Sequence, residues 1–199
     1  MAETLYKDTT YTASLLVQSI GLGKVALPDI QRPFVWQAAK VRALFDSMYK
    51  GFPVGYLLFW ETGADPGARQ IGVDTKAAVP NSLIVDGQQR LTSLFAVMTG
   101  SRVLRDDYSE ARIRIAFRPA DATFAVADAA IEKDPEFIPD ISALWQLGGK
   151  KATTKANLRA LAVRRDIDEA EEERLEDAID RLYDLQHYPF KVVELSSRG

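Results

Sequence analysis

The chain has 199 residues, 47% hydrophobic and 27% charged, a balance that supports a folded domain with a real core and leaves little room for disorder. Twenty-five basic against 28 acidic side chains give a formal charge of -3, so there is no broad positive field to drive nonspecific nucleic-acid binding. With no cysteine and His187 as the single histidine, disulfides, thiolate nucleophiles and cysteine-based metal centres are excluded. Any metal would rest on carboxylates, backbone oxygens and water, which suits Mg2+ beside a phosphate ester.

The first residues, MAETLYKDTT, are polar with no long apolar run behind them, so they do not read as a secretory signal. No stretch approaches the roughly 18 continuous apolar residues of a membrane span. The expected location is the cytoplasm, with no membrane partner.

Thr12 to Ile20 sets Leu15, Leu16, Ser19 and Ile20 on one helical face, ended by Gly21 and Gly23. Lys24 to Ile30 reads as a strand running into an edge interrupted by Pro28. A compact group from Gln31 to Trp36 follows, in which Pro33 holds Arg32 extended. From Gln37 to Tyr49 the apolar residues Val41, Leu44, Phe45 and Met48 recur at helical spacing while Lys40, Arg42 and Lys50 point mostly away, giving an amphipathic helix stopped by Gly51. Pro53 to Trp60 is too continuously apolar for a solvated strand and belongs in a sheet interior. Gly63 to Pro80 reads as a long loop or irregular hairpin.

Ser82 to Val85 makes the next strand, and a helix with Leu91, Leu94, Phe95 and Met98 on one face runs to Gly100. Ala111 to Phe117 alternates Ile113, Ile115 and Phe117 against Arg112, Arg114 and Arg118, predicting one half-buried strand with a basic outer face and Thr123 to Val126 as its partner. Phe137 to Trp145 reads as a turn entering a short helix, Gly148 to Lys155 as a loop, and Ala156 to Val163 and Asp168 to Gln186 as helices. Tyr188 to Leu195 begins a strand. No internal repeat is visible. The order predicts a mixed α/β (α+β) fold, in a single N-terminal-type domain over 1–199. Its subregions are a mixed sheet core to about residue 130, a mainly helical part over 131–187 and the start of a further strand over 188–199.

Chemistry concentrates where a Leu/Ile/Val strand delivers the polar pentapeptide Asp86 to Arg90 to the start of a helix. Helix N-terminal N–H groups bind anions, and Gly87 permits close approach of a phosphate. Arg90 supplies a bidentate guanidinium, Asp86 a ligand for magnesium or for an oriented water, and Gln88 and Gln89 both donors and acceptors. The competing interpretation is a capping box, with Asp86 and Gln89 merely satisfying helix-terminal N–H groups, which leaves Gln88 and Arg90 without a task.

A second polar island, Pro28 to Trp36, presents Gln31 and Arg32 just before a helix. They are candidates for the same anion unless Arg32 simply pairs with Asp29 or Asp46. His187, at a helix-to-strand junction, reads as structural. Arg112, Arg114 and Arg118 are either a solvated basic face or backbone contacts to nucleic acid, and Asp166 to Glu176 reads as a wet helix surface.

Three ordered segments, PDIQRPFVW at Pro28 to Trp36, VRALFDSMYKGFPVGYLLFW at Val41 to Trp60 and IVDGQQRLTSL at Ile84 to Leu94, strongly resemble the domain of unknown function 262 family, the GmrS-like part of GmrSD-type modification-dependent restriction enzymes. The resemblance implies a ParB/sulfiredoxin-like small sheet with flanking helices. It also implies a DGQQR motif used in nucleoside triphosphate binding and hydrolysis that controls restriction of phage DNA carrying modified bases or backbones. Carried over residue by residue, the implied catalytic set is Asp86, Gln88, Gln89 and Arg90. Gln31, Arg32, Gly87 and Arg90 would bind the nucleotide, and Asp86 the Mg2+. Members of the family usually continue into a further motif and often a histidine-asparagine-histidine nuclease domain, so cleavage is expected outside this chain, in the same polypeptide or a partner. The implied partners are the nucleotide and DNA, the latter through the complete protein or complex. Exposed aromatic residues are compatible with a homo-oligomer, and a noncatalytic DNA-binding or adaptor module with a structural DGQQR turn is the alternative.

Overall fold

The computed structural model describes residues 5–28, 33–61, 68–70 and 81–196, and it shows the expected mixed α+β architecture. The chain opens with a strand, β1 (Tyr6–Thr12), followed by α1 (Ala13–Gly21) and β2 (Val25–Pro28). Next come α2 (Ala38–Tyr49), β3 (Leu57–Glu61), the short β4 (Ala68–Gln70), β5 (Ser82–Asp86) and α3 (Gln88–Thr99). The hairpins β6 (Arg102–Leu104) with β7 (Glu110–Arg112) and β8 (Ile115–Arg118) with β9 (Thr123–Val126) lead into a helical half. That half holds a 3₁₀ turn at Ile141–Trp145, α4 (Gly149–Arg164), α5 (Glu169–Tyr183) and a second 3₁₀ turn at Asp184–His187. β10 (Pro189–Leu195) closes the order.

Six strands form one sheet in the order β1-β10-β3-β5-β2-β4. β10 runs parallel to β3, β5 antiparallel to β3 and β2 parallel to β5, while β1 and β4 flank the sheet antiparallel to their neighbours. β3 and β5 are therefore central, as the apolar run ending at Trp60 predicts for its second half; Pro53 to Tyr56, expected in the same buried strand, lie outside it and are largely exposed because they form the turn around Gly55. Leu57, Phe59, Ile84, Phe190 and Val192 bury on one face against α1, α2 and α3. In α2 the expected set Val41, Leu44, Phe45 and Met48 is buried. α3 is buried more widely than an amphipathic stripe requires: Ser93, Ala96 and Val97 join Leu91, Leu94 and Met98 in the interior.

One strand is added to the expected elements and three expectations are corrected. The polar start contains β1, whose Tyr and Thr residues suit a half-solvated edge strand; its charged Lys7 and Asp8 are exposed. The β2 strand is not at an edge, because β4 pairs outside it with Pro28 opposite Ala68. The basic strand is split: Arg112 ends β7 and Ile115 opens β8, each in its own two-stranded ribbon, although Ile113, Ile115 and Phe117 are buried as the alternation predicts. The loop expected from Gly148 to Lys155 is the first half of α4, whose interior contacts are Asn157, Leu158 and Leu161. Of the stretch Gly63 to Pro80 only β4 lies within the described residues, and Gln31 and Arg32 fall outside them.

In the helical half, Leu158, Leu161 and Leu175 form a small cluster of their own. Asp168 caps α5 by accepting from the Glu171 N–H at 2.7 Å, and Arg165 forks onto Glu171 at 2.7 and 2.8 Å. The acidic run is thus a capped, largely exposed helix surface. No described helix is long and apolar enough to cross a membrane.

Candidate functional site

β5 ends at Asp86 in the middle of the sheet, and Gly87 turns the chain into α3 with φ +92°, ψ 9°. A Cβ at Gly87 would stand 2.3 Å from Leu57 Cδ2 and 3.3 Å from Arg90 Nη2, so both the backbone conformation and the local packing demand glycine. Gly87 is itself the N-cap, and no side chain caps the helix. The capping box is therefore not formed: the Asp86 side chain is 75% exposed. The first-turn N–H groups of α3 precede the first intrahelical acceptor, leaving a positive dipole end beside that carboxylate.

Gln89 reaches across the molecule instead. Its Oε1 accepts from the Val35 N–H at 3.0 Å and the Trp36 N–H at 3.3 Å, and its Nε2 donates to Pro33 O at 3.0 Å. One amide side chain thus satisfies three backbone groups in the segment that leads into α2. Gln88 is buried and already engaged in contacts of its own.

Arg90, 17% exposed in its side chain, lies between two turns. Its Nη1 donates to Val54 O at 2.6 Å, and its Nη2 stands 3.4 Å from Asp86 Oδ2. Gly55 has φ +88°, and a Cβ there would meet Arg90 Nη1 at 2.4 Å, so the guanidinium occupies the space a larger residue would fill. On the far side of the same turn, Tyr188 donates its hydroxyl to Phe52 O at 2.7 Å. Burial pushes the Tyr188 hydroxyl above its ordinary pKa, opposed by a hydrogen bond from the Val54 backbone.

The structure therefore brings Asp86, Gly87, Gln88, Gln89 and Arg90 together at one joint. Pro33 to Trp36, the last residues of the second island, are fixed against it. Residues that sequence reasoning missed are Val54, Gly55 and Tyr188. The one available signal was a glycine immediately before an apolar strand, in ProValGlyTyr.

The family model for the N-terminal domain of the GmrSD restriction endonuclease matches residues 14–198. The chain belongs to that family. A curated protein of Methanocaldococcus jannaschii, "Uncharacterized protein MJ0686", is 36% identical over 89 residues, which cover 40% of this chain and 15% of that protein. The chain thus spans a small part of the length of that relative.

Elsewhere in this GmrSD N-terminal domain the other candidates are accounted for locally. Arg112 pairs with Asp140 at 2.8 Å, Arg114 with Glu132, and Arg118 with Asp121 at 2.6 Å, so the basic face on the ribbons is neutralised by its own neighbours. Asp46, offered as a partner for Arg32, is taken by Lys50 at 2.8 Å. His187 is exposed at the end of its 3₁₀ turn. Among the described residues no group of three His, Asp or Glu is placed to hold a metal ion.

Proposed function

We propose that the β5–α3 joint binds the phosphates of a nucleoside triphosphate, as the nucleotide-responsive part of a restriction system that acts on modified phage DNA. The observation that carries this reading is the exposed Asp86 carboxylate beside an uncapped helix N-terminus and a nearly buried arginine, in a chain of the GmrSD N-terminal family. The first-turn N–H groups of α3 would take phosphate oxygens, and the Arg90 N–H groups not spent on Val54 and Asp86 would add charge-assisted bonds. Asp86 is the one carboxylate in the pentapeptide. It fits a Mg2+ ion carried mainly by the phosphates and water, which keeps several waters and needs only one or two protein carboxylates. Asp86 would hold that ion or orient a water. Gln31 and Arg32 precede the segment clamped by Gln89 and would reach the same anion. DNA cleavage, in this reading, resides in a nuclease domain outside the chain, and the domain works in the cytoplasm.

A second reading has its own observation. Gly87 is demanded by packing against Leu57, Gln89 by the Pro33 to Trp36 backbone and Arg90 by Val54, so a purely structural DGQQR turn in a DNA-binding or adaptor module accounts for three of the five residues. It leaves the exposed Asp86 with no task beyond its 3.4 Å contact to Arg90.

The separating experiment is thermal unfolding of the chain and of Asp86→Asn with GTP, ATP, CTP and UTP, each with and without Mg2+. A ligand at one hundred times its Kd stabilises the fold by about 2.7 kcal/mol. The expected result is a Mg2+-dependent rise in Tm with at least one nucleotide, reduced in Asp86→Asn, whose own Tm without ligand stays near the parent's. No rise with any nucleotide, together with salt-dependent binding of duplex DNA, would establish the second reading instead.

A further inference from the structure

Arg42, expected from helical spacing to point mostly away from the core, is half-buried in a cleft of about 370 Å3 between one side of α2, the turn before β9 and α5. The cleft is lined by Arg42, Asp46, Lys50, Asp121, Phe124 and Arg181, with Tyr49 on one wall. Its carboxylates are already matched: Lys50 holds Asp46 at 2.8 Å, and Arg118 forks onto Asp121 at 2.9 and 2.6 Å. The Arg118 fork is the main reason that the Asp121 carboxyl is pulled down to about 2, so this acid is charged and occupied at neutral pH.

Two guanidinium groups are left over. Arg42 has no hydrogen bond or ion pair among the described residues, and its side-chain nitrogens stay accessible to solvent, so all five donors are free for a ligand. Arg181 donates from Nη2 to Tyr49 O at 2.8 Å and lies over the Tyr49 ring with its Cζ 4.6 Å from the centroid. Those contacts fix its plane without consuming its charge, so it is preorganised for an anion. At the lip of the cleft Ala122 sits at φ +53°, a left-handed conformation that costs a non-glycine residue energy and that gathers at binding sites.

We infer that this cleft is a binding site for a small phosphorylated molecule, held by Arg42 and Arg181. The unmatched charge is +2, which suits a phosphate monoester dianion better than a single carboxylate. A volume of about 370 Å3 exceeds what an inorganic ion fills and falls within the range of small-ligand pockets, with the Tyr49 and Phe124 rings offering apolar wall to the organic part. The site is concave and edged by Asp46 and Asp121, which excludes the convex, continuous phosphate backbone of a duplex. It runs along α2 from Arg42 to Lys50, whereas the Gln89 clamp holds Pro33, Val35 and Trp36 ahead of that helix, so the two sites share no residue.

The test is an NMR titration of the full 199-residue chain with ribose 5-phosphate, inorganic phosphate and succinate, following backbone amides and arginine Nε–H signals. Ribose 5-phosphate should shift Arg42, Ala122, Thr123 and Arg181 saturably and bind at least tenfold more tightly than the other two. Arg42→Gln should weaken that binding at least tenfold at unchanged Tm, since the side chain makes no internal bond to lose. Arg42→Lys, which keeps the charge but not the fork, should weaken it severalfold and decides the matter if the glutamine variant misfolds. Equal affinity for succinate or inorganic phosphate, unchanged affinity in the folded Arg42 variants, or shifts confined to Asp86 to Arg90 would each overturn the assignment.

Discussion

Arg90 donates to the carbonyl oxygen of Val54 at 2.6 Å, and this bond ties the first turn of α3 to the turn that launches β3. Removing the side chain strips a partly buried carbonyl of its partner and loosens the contact to Asp86. Arg90→Ala is expected to lose about 1.5 to 3 kcal/mol in urea unfolding, the usual cost of a hydrogen bond to a charged group. Arg90→Lys should recover only part of it, because an ammonium cannot span both partners. Full parental stability in Arg90→Ala would show that the guanidinium is no brace. Loss of nucleotide binding in that variant therefore needs Asp86→Asn beside it, where no buried bond is broken.

Gly55→Ala tests the same brace from the other side. The new methyl group would be forced to φ +88° and to 2.4 Å from Arg90 Nη1, displacing the guanidinium. The backbone strain alone is of order 1 to 3 kcal/mol. The expected signature is a lower urea midpoint at unchanged slope and an altered Arg90 Nε–H resonance; an unshifted midpoint would contradict the packing described.

Gln89→Leu keeps much of the side-chain volume and deletes all three bonds to Pro33, Val35 and Trp36. A net contribution of about 1 kcal/mol per bond predicts a loss of roughly 2 to 3 kcal/mol and faster hydrogen exchange at the Val35 and Trp36 amides, with those of β3 unaffected below global unfolding. Gln89→Glu should be intermediate, since it retains the acceptor and loses the donor to Pro33. Exchange at Val35 and Trp36 that matches the parent would remove the clamp from the account.

A pH effect is expected at the far edge of the sheet. Tyr11 on β1 donates its hydroxyl to Glu194, which is buried on β10 and lies 3.8 Å from Lys7 Nζ. Burial first, then the bond to Glu194 and the charges of Glu194 and Glu61, push the Tyr11 hydroxyl up to about 12. An unfolded tyrosine titrates near 10, so the folded state holds this proton more tightly. Its contribution to stability is whole below about pH 10 and is lost as the pH rises through 10 toward 12. Stability curves should fall more steeply there for the parent than for Tyr11→Phe, and phenolate absorbance should show one fewer late-titrating tyrosine in the variant. Identical slopes in the two proteins would refute the coupling.

The parts of this architecture that could be read from the chain are those written in short-range periodicity. The α2 stripe of Val41, Leu44, Phe45 and Met48 and the apolar run before Trp60 announce a helix and a central strand, and both are observed, the strand only from Leu57 onward. β1 escaped because an edge strand carries no hydrophobic alternation, only the β-preference of Tyr and Thr. The start of α4 escaped because GlyGlyLysLysAlaThrThrLys has turn-forming residues at positions that here begin a helix. At the joint, the polar cluster and its location were legible, while the tasks of Gln89 and Arg90 were not. Their partners are carbonyls and amides 36 to 56 residues away, and backbone groups leave no mark on a sequence.

The pairing of β1 with β10 sets Tyr6 opposite Leu195, so β1 finds its place only once a segment more than 180 residues further along the chain is present. β3 likewise gains its β10 neighbour only through residues 192 to 195. During synthesis β3 therefore carries an open sheet edge, and β1 lacks its partner, until residues 189 to 195 have left the ribosome. Contacts of such sequence separation form slowly, because the intervening chain must be closed before they reward it. Completion of the sheet is a late, cooperative event, and a nascent chain that stops before Pro189 would present β3 as a template for pairing with other chains.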